Sequence, residues 1–304
     1  MIFPRPLRQN DLVLVISPSY APDAEELKAG IEVLERNGFR VETGAHAGSS
    51  WGAFAGSDAE RLADLQWALD HPEASMILCS RGGYGMGRIF RSLDFTAFEK
   101  KPKWLVGFSD ITLLHTLLQE RGFAGMHGPM VCHHARINQL PACLKQQDFL
   151  VRREKLRYPL TAAFREDIHD DVSGIIVGGN LSLLSYGASG LGPGFFSKRL
   201  VFLEDVGESY HKIDRMLDQL FRNTNLSDAR AFVLGTFSEC PENNFPLRIA
   251  DMIREKCGVP VPVFTGLPCG HAHPSFPLVL GYHTEIRRSG EDWEFLQAGL
   301  PLIS

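Results

Sequence analysis

The chain has 304 residues, 44% of them hydrophobic and 22% charged, with a formal net charge of −5. That length supports a substantial core in one large domain or two, and the slight acidity gives no electrostatic ground for nucleic acid or an anionic membrane as partner. Scattered cysteines without a CxxC pair point to a reducing compartment, and with no signal-like start and no apolar run near ~18 residues the expectation is a cytoplasmic protein acting on a small molecule.

In chain order, Leu12 to Ile16 is a continuous apolar run of strand length. A helix over Ala24 to Asn37 follows, with Leu27, Ile31 and Leu34 on one face and Gly38 as its stop. Ser57-Asp58-Ala59-Glu60 has capping-box spacing, in which serine hydroxyl and glutamate carboxylate satisfy each other's backbone N–H groups, so a second helix carries Leu62, Leu65 and Leu69. Strands at Met76 to Ser80 and Trp104 to Phe108 extend the alternation, and Ile111, Leu114 and Leu118 then recur at helical spacing. Strands separated by helices predict a parallel sheet that binds ligands beyond its carboxyl edge, where Arg81 and Ser109 both fall. Periodicity is lost from His133 to Asp171, a stretch with Pro159 that reads as a connection with one helix. Strands return at Gly174 to Val177, Leu200 to Leu203, Ala231 to Leu234, Val261 to Phe264 and Leu278 to Tyr282, around a helix over Ser209 to Arg222. The expected organisation is an α/β domain over 1–135, a linker over 136–172 and a second domain over 173–304.

Ser109 occupies the joint between an apolar strand and a helix. Its hydroxyl there projects from the sheet edge beside the N–H groups that open the helix, which is the geometry of a nucleophile, although a serine at the same joint also serves as a helix cap. A serine hydroxyl needs a base, and the base needs a carboxylate to hold its tautomer. His271, in the loop Gly266-Leu267-Pro268-Cys269-Gly270-His271, is the first choice of base, with His273 two residues on as competitor. Glu204 or Asp205, ending the apolar run Val201 to Leu203, is the carboxylate. The loop Arg81 to Arg88 lacks the register of a dinucleotide or P-loop motif. Its glycines either form a tight turn or bring backbone N–H groups to a substrate carbonyl. His127, His133 and His134 do not have a metal-ligand spacing, so neither a metal nor a cofactor is expected.

Taken together, Ala55-Gly56-Ser57-Asp58 with Glu60-Arg61, Ser80-Arg81-Gly82-Gly83-Tyr84-Gly85, Gly107-Phe108-Ser109-Asp110, His127-Gly128-Pro129-Met130, Gly178-Gly179-Asn180-Leu181, Leu203-Glu204-Asp205 and Gly270-His271 resemble, in order, the LD-carboxypeptidase family of serine peptidases. The resemblance implies an α/β fold: a Rossmann/flavodoxin-like parallel-sheet N-terminal domain and a C-terminal swivelling β/β/α domain. It makes Ser109 the nucleophile, His271 the general base and acid, and Glu204 the residue orienting His271. The oxyanion hole would come from the N–H of Asp110 and of Gly82 or Gly83, and Arg81, Tyr84 and Asn180 are the expected substrate contacts. The reaction implied is release of terminal D-alanine from murein tetrapeptide in cell-wall peptide recycling, by a cytoplasmic homodimer. A related branch of the family hydrolyses peptidyl-adenylates of the microcin C type with the same triad, and the rival outside the family is a non-catalytic α/β protein that binds a small ligand.

Overall fold

The computed structural model describes residues 1–301 other than His169 and Asn243, so the last three residues of the expected second domain lie outside the described residues. Its first sheet has the order β11-β5-β4-β3-β1-β2, built from β1 (Leu12–Ile16), β2 (Arg40–Thr43), β3 (Ala74–Cys79), β4 (Trp104–Val106), β5 (Gly125–His127) and β11 (Leu278–Leu280). The pairs among β1 to β5 are parallel, and β11 runs antiparallel to β5. Because successive strand residues point to opposite faces, Val13 and Val15 pack with Leu27 and Leu34 of the helix Ala24–Arg36. Leu12, Leu14 and Ile16 pack on the other face with Leu65 and Leu69 of the helix Asp58–Asp70 and Leu114 and Leu118 of the helix Thr112–Glu120. Burial on both faces explains why β1 is apolar throughout.

The helices start where side chains supply the missing acceptors. Asp23 accepts from the N–H groups of Glu25 and Glu26, and Ser57 and Glu60 form the expected capping box. By contrast, neither the 3₁₀ turn Ser109–Ile111 nor the helix Thr112–Glu120 has a side-chain cap. The capping reading of Ser109 therefore fails.

The second body is a closed barrel with the order β10-β6-β13-β12-β7-β8-β9. Its strands are β6 (Leu156–Ala162), β7 (Val172–Asn180), β8 (Leu200–Val206), β9 (Ala231–Ser238), β10 (Val263–Thr265), β12 (Tyr282–Ser289) and β13 (Asp292–Gln297). The helices Leu181–Gly187, Tyr210–Asn223 and Ile249–Cys257 cover one side of it through Leu184, Leu217 and Ile253.

Two expectations about organisation are corrected. Residues 136–172 hold β6, which pairs with β13 and β10 and is part of the barrel wall. Leu156, Tyr158 and Leu160 are buried while Arg157, Pro159 and Thr161 are exposed, a period of two that the proline obscured. The run Leu278 to Tyr282, expected as one strand of the second half, breaks at Gly281 (φ +74°). Its first part joins the N-terminal sheet as β11 and its second enters the barrel as β12. Gln297 of β13 seals this crossing: its amide donates to the Val279 carbonyl at 2.7 Å and accepts from the Val279 N–H at 2.8 Å.

Gly178, at φ +126°, brings β7 so close to β8 that an added Cβ would lie 2.0 Å from the Phe202 carbonyl oxygen. Gly178→Ala is expected to cost at least about 2 kcal/mol, through strain and backbone displacement together, as read by chemical denaturation.

Candidate active site

Because β3 and β4 are parallel neighbours, the loops leaving their carboxyl ends lie side by side. Ser109 leaves β4 at φ +65°, a left-handed conformation unusual for a residue with a Cβ, and half-buried. Gly82, leaving β3, faces it so closely that a Cβ there would lie 2.8 Å from Ser109 Cβ and 3.1 Å from Ser109 Oγ. Gly83, at φ +121°, lies against the Tyr20 ring. Among the described residues no backbone carbonyl accepts from the N–H of Gly82, Gly83 or Asp110. The side chain of Asp110 turns inward instead, accepting from Ser19 Oγ and from the Met86 N–H.

The strands β8, β9 and β10 are also parallel neighbours, which brings the end of β8 beside the loop that leaves β10. Glu204, wholly buried on β8, sits in a slot between two glycines: a Cβ on Gly270 would lie 2.8 Å from Glu204 Oε2, and one on Gly235 3.2 Å from Glu204 Cβ. In that slot Glu204 Oε2 meets His271 Nδ1 at 2.7 Å. Burial works against a charged imidazole, but the hydrogen bond and charge of Glu204, with Asp205 behind it, prevail and raise the His271 pKa above its ordinary value.

His273 is exposed and its Nδ1 pairs with Gln139 Nε2 at 2.5 Å, so it is turned away from the carboxylate. Asp205 accepts from Asn180 Nδ2, the Ser182 N–H and hydroxyl, and the Val206 N–H. Asn180 is buried, its carbonyl capping the helix Leu181–Gly187 through the Leu183 N–H. Its own N–H donates to Thr112 Oγ1, which ties the barrel to the helix that follows Ser109.

The two halves also meet at Phe108. Its ring lies edge-on to the His271 ring at 5.1 Å between centroids, and Phe108 immediately precedes Ser109 in the chain. The Ser109 hydroxyl has no hydrogen-bond partner among the described residues. The Phe108 ring also lies 5.3 Å from His127 and from His133. Burial pushes His127 well below its ordinary pKa, His133 to about 3 and His134 to about 4, so these three imidazoles are neutral at pH 7 while His271 holds its proton more firmly. No group of three or more His, Cys, Asp or Glu among the described residues is arranged to hold a metal ion.

Arg81 and Tyr84 are exposed on the same loop, Arg81 5.9 Å above the Tyr20 ring and Tyr84 6.0 Å from Phe54. Residue-level sequence reasoning missed Phe108 as a contact between halves, and Gln139, wholly buried, which also accepts from the Ser275 N–H to hold the histidine loop. Gln139 stands in no local motif that would have marked it, and Phe108 lies inside the Gly107-Phe108-Ser109-Asp110 block, where only the serine drew attention.

Known proteins resemble the chain along nearly all of its length. Residues 13–128 match the model of the LD-carboxypeptidase N-terminal domain and residues 173–286 that of the LD-carboxypeptidase C-terminal domain. The chain is 33% identical to the Bacillus subtilis protein named "probable murein peptide carboxypeptidase", over 98% of this chain and 95% of the relative. The crystal structure of muramoyltetrapeptide carboxypeptidase from Oxalobacter formigenes superposes with a TM-score of 0.80 at 26% identity, covering 96% of this chain and all of that one. The microcin C7 self-immunity protein MccF, wild type and apo, shares the fold with a TM-score of 0.86 at 21% identity, covering 99% of this chain and 100% of its own. With both domain models matched over most of its length, the chain belongs to the LD-carboxypeptidase family of serine peptidases and is a carboxypeptidase.

Proposed function

We propose that the enzyme hydrolyses the L,D-peptide bond that releases terminal D-alanine from murein tetrapeptide, with Ser109 as nucleophile, His271 as base and acid and Glu204 as orienting carboxylate. The observation that carries this reading is the buried Glu204–His271 pair packed on the ring of Phe108, the residue that precedes a serine in a left-handed elbow. With Nδ1 committed to Glu204, the imidazole offers Nε2 to the Ser109 proton. Ser109 Oγ then forms its bond to the carbonyl carbon of the diamino acid, and the carbonyl electrons move onto oxygen. The N–H groups of Asp110 and of Gly82 or Gly83 are the donors available to that oxyanion. Collapse breaks the C–N bond as His271 returns its proton to the departing D-alanine amine, and water, deprotonated in turn by His271, hydrolyses the ester. Arg81, exposed on the loop that leaves β3, is the candidate cation for the terminal carboxylate that an exopeptidase must bind, since Arg88 is paired with Asp58.

Ser109→Ala is expected to lower D-alanine release from L-Ala-γ-D-Glu-meso-diaminopimelyl-D-Ala by at least about 10⁴-fold with folding intact. A folded wild type that releases none would sink the reading, and peptidyl-adenylates become the next substrates to assay. Gly82→Ala places a methyl against Ser109 and is expected to reduce kcat about 10²-fold while changing the denaturation midpoint little. Glu204→Gln removes the group that raises the His271 pKa, so the His271 imidazole, followed by NMR, is expected to titrate at lower pH. The acid limb of kcat/KM moves down with it, and kcat falls by roughly 10²- to 10⁴-fold. The sign for stability follows: protonated His271 contributes fully below its unfolded value near 6.5, and that contribution is lost as pH rises through the raised folded value.

A further inference from the structure

The proposed reaction draws on Asp110 only through its backbone N–H, yet the Asp110 side chain is 1% exposed and its surroundings are built around it. Oδ2 accepts from Ser19 Oγ at 2.6 Å, beyond the end of β1, and from the Met86 N–H at 2.8 Å, at the far end of the glycine turn. Arg61, also 1% exposed, contributes its positive charge to the same carboxylate. Arg61 donates to the Pro18 carbonyl at 2.7 Å and lies where a Cβ on Gly85 would come 2.6 Å from Nη1. The turn so enclosed is intrinsically loose, with Gly83 at φ +121° and Gly85 at +136°. A turn of that composition has many backbone states unless something outside it selects one. Two hydrogen bonds and a neighbouring guanidinium on one buried carboxyl are such a selector, and they belong to the residue whose own N–H forms the other arm of the oxyanion site.

We propose that the Asp110 carboxylate is a positioning residue for the oxyanion site, pinning the Met86 end of the glycine turn to the elbow and thereby fixing the distance between the Asp110 N–H and the N–H groups of Gly82 and Gly83. This rests on the proposed reaction for its catalytic consequence, but the pinning can be measured without substrate. A carboxylate that served stability alone would, when removed, lower the denaturation midpoint and leave the kinetics of the folded fraction unchanged. A positioning residue moves the transition state more than the ground state.

The experiment uses the full chain with Asp110→Ala, Asp110→Asn and Ser19→Ala, read by D-alanine release, by affinity for a tetrapeptide analogue with a boronic acid in place of the scissile carbonyl, and by amide hydrogen exchange across residues 82–86. Asp110→Ala is expected to lower kcat about 10²-fold with KM within about threefold, and to weaken the boronate by the same factor as kcat. Exchange at the Met86 amide is expected to rise at least about tenfold. Asp110→Asn keeps an oxygen acceptor for both donors and should return kcat to within about tenfold of wild type, with Ser19→Ala intermediate. The acid limb of the pH profile should stay in place in all three, since Glu204 and His271 are untouched. If Asp110→Ala does not fold, Ser19→Ala carries the same comparison. Unchanged Met86 exchange, a fall in kcat without loss of boronate affinity, or a shifted acid limb would each overturn the inference. A wild type inactive on the tetrapeptide would instead overturn the proposed reaction, and Met86 exchange would then decide the pinning by itself.

Discussion

A carboxylate with no exposure to water must be compensated where it lies, and Glu204 makes that demand on the rest of the molecule. Among the side chains of the described residues its charge is met by His271 alone, and the imidazole reaches it because Gly235 and Gly270 leave no Cβ between the strands. The slot in the barrel admits the imidazole and the Phe108 ring of the neighbouring sheet packs against it, so one electrostatic demand draws both halves of the molecule together.

The N-terminal half of the site was readable because its geometry is local. Gly107-Phe108-Ser109 follows a strand and precedes a helix, Arg81-Gly82-Gly83 follows the neighbouring strand, and two adjacent parallel strands must bring their following loops together. Ser57 and Glu60 likewise announce their helix within four residues. The pairing of Glu204 with His271 spans 67 residues and left Asp205 and His273 open on residue chemistry alone; the family resemblance, rather than spacing, selected between them. The structure separates the candidates physically, since Asp205 is fully occupied by Asn180, Ser182 and Val206, and His273 by Gln139.

What was not readable is how thoroughly the halves interleave. Pro159 hid a strand because proline weakens any strand assignment, although β6 keeps strict alternation around it. A three-residue strand such as β11 carries too little pattern to announce which sheet it joins, and Gly281 marks its end without saying where the chain goes next. The cluster of His127, His133 and His271 around Phe108 joins residues from three separate segments, so no window of sequence contains it.

That interleaving bears on how the protein comes into being. The sheet that carries Ser109 is finished by Leu278–Leu280, and the strand that finishes it is sealed by Gln297. A ribosome making this chain has released Ser109, Gly82 and the whole parallel core long before β5 acquires its antiparallel neighbour. Throughout that interval β5 presents an open, apolar edge, the kind of surface that pairs with other nascent chains. The site thus cannot be assembled half at a time during synthesis: the sheet that carries Ser109 and the barrel that carries Glu204 and His271 are not locked together until β11 and β13 have emerged.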